Sequence, residues 1–76
     1  MRRLDQRFKR LLQCLTDGWA IAPPVFVRPV WHTMADAHDA YHFVLKRNGD
    51  LQLLVIPASG EVEAFINTHR LPLNRL

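Results

Sequence analysis

The chain has 76 residues, with ten Lys or Arg, seven Asp or Glu and four His, for a formal net charge of +3. Its 49 % apolar and 22 % charged residues are a globular composition, not a disordered or fibrous one. The length holds one domain with a small core and excludes multidomain enzymes, dinucleotide-binding folds and eight-stranded α/β barrels.

Residues 2–17 read as a helix. Leu4, Phe8, Leu11, Leu12 and Leu15 recur at helical spacing and form one apolar stripe. Arg2, Arg3, Lys9 and Arg10 cluster on the opposite side. The basic character of the protein is concentrated here. Residues 1–10 set Arg2, Arg3, Arg7, Lys9 and Arg10 against Asp5, a local charge of +4, and the remainder sums to −1. Such asymmetry points to an anionic partner, and Arg2, Arg3, Lys9 and Arg10 are the nucleic-acid-binding candidates. The alternative is a solvated helix face. Cys14, the single cysteine, lies on the flank of the stripe with no activating neighbour, and no internal disulfide can form. The basic start is followed by no apolar h-region, and no apolar run is long enough to span a bilayer, so a cytoplasmic protein without membrane insertion is expected. Asp17-Gly18 ends the helix, with glycine in the left-handed position after the cap.

Residues 19–31, WAIAPPVFVRPVW, are extended, since Pro23, Pro24 and Pro29 exclude a helix. Each proline also removes a ladder donor, so an edge strand is expected over about residues 25–31. Residues 32–39 read as a polar loop. Residues 40–57 then carry the strongest local pattern, two alternating runs around Asn48-Gly49-Asp50, which is a β-hairpin. A two-residue loop pairs Phe43 with Leu54. A three-residue loop pairs Phe43 with Leu53 and gathers Tyr41, Phe43, Leu45, Leu51, Leu53 and Val55 on one face. The second option is preferred, because a one-residue slip turns a whole apolar set to the other side. It leaves His42, Val44, Lys46, Leu54 and Ile56 on the open face.

A second helix follows over residues 60–70, with Ser59 as N-cap and Glu61 and Glu63 in its positive first turn. Leu71-Pro72 stops it, and residues 72–76 read as a frayed tail. The expected fold is α+β, a two-layer sandwich with a three-stranded antiparallel sheet, both helices on one face and the order α-β-β-β-α.

Chemistry-bearing patterns are sparse. His32, His38 and His42 flank one loop, but their spacing matches no zinc motif, and no metal or other cofactor is expected. No glycine-rich phosphate cradle, nucleophile triad or small-molecule site can be read. Phe26 and Trp31, near Arg28, Lys46 and Arg47, are candidate stacking platforms for single-stranded nucleic acid.

Leu11-Leu12 to Gly18-Trp19, His42 at the start of a strand and Val55-Ile56-Pro57 before the second helix share a layout with a known group. In these pieces the chain resembles the double-stranded RNA-binding domain and, within that fold, the small HicA-type toxins that cleave mRNA. The resemblance implies RNA binding, with His42 as general acid or base. The residues themselves favour a non-catalytic interaction module. Its partner would be an unidentified protein or a second copy, held by the open sheet face at His42, Val44, Lys46, Leu54 and Ile56. Nucleic-acid binding through the basic helix is the alternative.

Overall fold

The computed structural model describes residues 6–31 and 37–76. Its elements run α1 (Gln6–Thr16), β1 (Ala20–Trp31), β2 (Ala37–Arg47), β3 (Asp50–Pro57), α2 (Gly60–Thr68) and β4 (Leu73–Arg75). The fold is α+β. The sheet has four strands in the order β3-β2-β1-β4, antiparallel except for the parallel β1–β4 pair.

Helix α1 buries Phe8, Leu11 and Cys14, with Leu12 and Leu15 half-buried. The buried arc is centred on Leu11 and therefore turned about 40° from the stripe that leucine and phenylalanine alone define. Cys14 is thus a core residue rather than a flank residue, and its Sγ accepts a 3.4 Å hydrogen bond from Gln52 Nε2. The helix ends as expected. Gly18 has φ +94°, its N–H donates to Leu15 O, and Trp19 N–H donates to Cys14 O, which closes a Schellman cap. Arg47 fastens this end to the sheet, with Nη1 donating to Asp17 O at 3.1 Å and its guanidinium 4.6 Å from the Trp19 ring.

Helix α2 starts at Ser59, whose Oγ accepts from Val62 N–H at 3.3 Å. It ends with Arg70 in the left-handed region at φ +52° and Leu71 N–H donating to Ile66 O. Val62 and Ile66 complete the core under Val25, Val27, Tyr41, Phe43, Leu45 and Ile56. Phe65 packs edge-on against both Phe8 and Phe43 and so joins the two helices over the sheet.

Further expectations are corrected, among them the polar loop over residues 32–39, since β2 already begins at Ala37. Strand β1 is interior, not an edge. It tolerates its prolines because they avoid the bonded positions. The β1–β2 register breaks between Ala22 and Phe26, which places the cis-linked Pro23-Pro24 in a bulge, and β4 pairs only with Val25, Phe26 and Val27. The tail is not frayed throughout. Val25 N–H donates to Pro72 O at 2.9 Å and Leu76 N–H to Val27 O at 3.0 Å, and this adds a fourth, parallel strand to the expected three-stranded antiparallel sheet and a β4 to the expected order. The hairpin loop has two residues, not three. Asn48 at φ +51° and Gly49 at φ +87° form a type I′ turn, whose twist matches that of the flanking strands, and Arg47 pairs with Asp50.

Candidate functional site

The turn sets the register, and the register sets the surfaces. With Arg47 opposite Asp50, the pairs Leu45–Gln52, Phe43–Leu54 and Tyr41–Ile56 point to the helices. The pairs Lys46–Leu51, Val44–Leu53 and His42–Val55 point the other way. Strand β1 adds Ala20, Ala22, Phe26 and Arg28 to this second face, opposite Lys46, Val44, His42 and Ala40 respectively. The buried cluster that holds both helices draws on the first face alone. Among the described residues, the second face lies outside that cluster and is the open face of the sheet.

Of the five residues expected there, His42, Val44 and Lys46 are on the open face. Leu54 and Ile56 are not. Ile56 is fully buried and Leu54 packs against the core, because the two-residue loop turns them inward. Leu51 and Leu53 take their place, 70 % and 56 % exposed. Val55 and Phe26, both half-buried, extend the patch beside them. Leu51, Leu53 and Val55 were hidden in the sequence by the same loop-length ambiguity; the Asn-Gly dipeptide, which favours the two-residue type I′ turn, was the signal that could have found them.

His42 lies between Phe26 on β1 and Val55 on β3. Burial, and then the charge of Arg28, push its pKa below the ordinary histidine value and so favour its uncharged form. Among the described residues, the lysine and arginine of this face, Lys46 and Arg28, are exposed at the margins of the patch. No carboxylate takes part in the shift of His42.

Other groups gather elsewhere. On the helix side, the Tyr41 hydroxyl donates to Glu63 Oε1 at 3.4 Å, and Arg75 Nη1 pairs with Asp39 Oδ2 at 3.3 Å. Burial and the Glu63 and Asp39 carboxylates raise the Tyr41 pKa. The His69 and Phe65 rings lie 4.3 Å apart, tilted by 44°. Arg2, Arg3 and His32 lie outside the described residues. Among the described residues no three metal-ligating side chains converge, and no helix is long and apolar enough to cross a membrane. Lys9 and Arg10 are exposed on α1, where Gln6, Arg7, Lys9, Arg10 and Gln13 line a shallow, open cleft.

Comparison of the chain with protein-family models, with curated proteins and with solved structures finds no match.

Proposed function

We propose that this chain is a small interaction module that binds a protein partner through the open face of its sheet. The observation that carries the reading is the pair of exposed leucines, Leu51 and Leu53, set beside Val44, Val55 and Phe26 on a face to which neither helix is packed. Scattered exposed leucines are ordinary, but a contiguous apolar patch rimmed by charge marks a binding surface. The lowered pKa of His42 at its centre is in keeping with this, because an uncharged imidazole is the easier form to strip of water.

The test is site-specific photo-crosslinking in cells. A photoreactive residue at Leu53 or at Val44 should give an adduct of defined mass, and one at Ala64, exposed on α2, should not. Absence of adducts at both open-face positions, in a folded protein, sinks the reading.

A second reading is contact with nucleic acid through α1. It is supported by the exposed Lys9 and Arg10 and the cleft they line with Arg7, Gln6 and Gln13. It uses a different face and is separable by salt dependence.

A further inference from the structure

Among the described residues, strand β3 is an outer strand of the sheet, with β2 on one side and no strand on the other. The type I′ turn makes Arg47 and Asp50 a hydrogen-bonded pair. Alternation along an antiparallel ladder then makes Leu45–Gln52, Phe43–Leu54 and Tyr41–Ile56 the other bonded pairs. The backbone N–H and C=O groups of Leu51, Leu53 and Val55 accordingly face away from β2. Among the described residues, no turn, loop or cap hydrogen bond reaches them. The residues with a free backbone edge are the residues whose side chains form the apolar patch.

Proteins protect such an edge with a lysine, a proline, a bulge or a covering element. Among the described residues, strand β3 has none of these between Asp50 and Pro57. Its sequence there is Leu-Gln-Leu-Leu-Val-Ile, without a charged side chain, and its pairing with β2 is unbroken. The opposite outer strand, β4, is only three residues long.

We infer that β3 pairs with β3 of a second copy of this chain, antiparallel about a two-fold axis at Leu53. This goes beyond the open-face reading: it assigns the edge of β3, in the plane of the sheet, whose side chains belong to the same patch. A strand edge run antiparallel against itself is self-complementary: each outward donor meets an outward acceptor, Leu53 that of its equivalent and Leu51 that of Val55. The register is the one that pairs all three outward residues under two constraints. Outward-facing residues must meet outward-facing residues, and Pro57, which has no N–H, must stay outside the ladder. Leu53 opposite Leu53 of the second copy, with Leu51 opposite Val55 in both directions, satisfies both. It also stacks the exposed leucines of the two copies on one continuous face of an eight-stranded sheet. The paired stretch is uncharged between Leu51 and Ile56, so no like charges oppose the approach. A partner strand of other sequence would satisfy the backbone equally, but only a second copy brings the same uncharged length and the same leucines into that register.

The experiment combines sedimentation with amide exchange on the full chain. Expected is a monomer–dimer equilibrium as concentration rises from about 1 μM to 1 mM, with the Leu51, Leu53 and Val55 amides gaining protection in step with dimer. Leu53→Pro removes one outward donor and leaves the β2 ladder intact, so it should raise the dimer Kd by about tenfold or more while helix and sheet content persist. Exchange on the unsubstituted chain keeps the test valid even if that variant does not fold. A chain monomeric throughout overturns the inference. So does a dimer in which those three amides exchange freely, or a folded Leu53→Pro that dimerises undiminished. In each case the open-face reading stands or falls separately, on whether photo-adducts at Leu53 or Val44 carry the mass of a different protein.

Discussion

The hairpin register makes opposite demands on two leucines that the alternating pattern treats alike. Leu45 is fully buried, and Leu53, one row away across the ladder and on the other face, is 56 % exposed. Full burial of a leucine side chain contributes about 1.5–3 kcal/mol. With a little under half of its surface covered, Leu53 contributes about 0.7–1.3 kcal/mol by the same reckoning. Leu53→Ala should cost no more than that. Leu45→Ala also leaves a cavity and should cost about 2–5 kcal/mol. A domain of this length has about 4–11 kcal/mol in total, so the second variant loses a large fraction of its stability. The assay is denaturant unfolding by circular dichroism, at two protein concentrations so that association through β3 is separated from folding. Thermal midpoints should fall by about 3–10 °C for Leu53→Ala and by at least about 8 °C for Leu45→Ala. Equal losses above about 2 kcal/mol would refute the reasoning, because they would place Leu53 in the core, where a three-residue loop puts it.

Three further outcomes are expected. Gly49→Ala should destabilise by about 1–2 kcal/mol in the same unfolding assay, through backbone conformation alone, since Gly49 sits at φ +87° with open space around an added Cβ. His42 should make stability depend on pH. Its folded pKa is below 6.5, so the unfolded chain takes up the proton first. Stability is full above 6.5 and falls as pH drops from there to the folded value, and His42→Gln should flatten that fall in a urea titration at a series of pH values. If α1 contacts nucleic acid, Lys9→Gln with Arg10→Gln should lower the magnitude of the log–log salt slope for a structured RNA by about one to two, and an unchanged slope would mark this face as merely solvated.

The elements that declare themselves by local chemistry were legible in the sequence. Ser59 and the two glutamates after it start α2, Asp17-Gly18 ends α1, and Asn48-Gly49 marks the hairpin. What was not legible depends on partners distant in sequence. Grouping every apolar residue of the hairpin on one face argued for the longer loop. The fold instead turns Gln52 inward, where it meets Cys14, and leaves Leu51 and Leu53 outside. The prolines argued for an edge strand because each lacks a donor, but a bulge and a short neighbour let β1 lie inside the sheet. Residues 73–75, with every side chain exposed, carry no periodic signal, and only Val25 and Val27 make them a strand. The candidate surface inherited the register error. Three of its five residues are on the open face, and the two leucines that define the patch were assigned to the core.

Strand β4 has a kinetic side. Its junction to β1 closes a loop from Val25 to Leu73, by far the longest-range pairing in the sheet, whereas the hairpin closes over two residues. Local pairings form first, and distant ones repay their closure entropy late. A three-residue ladder, two flanking hydrogen bonds and the exposed Arg75–Asp39 pair hold β4 in place, and none of its side chains is buried. It is therefore the first strand to open in native fluctuations, ahead of any global unfolding. Each opening bares the middle of β1, at Val25 to Val27, two of whose side chains belong to the core. The chain thus has a second, transient sticky edge beside its permanent one. A fusion or affinity tag placed directly after Leu76 would pull on this weakest seam, and the exchange rate of the Val25 amide is the gauge of how often it parts.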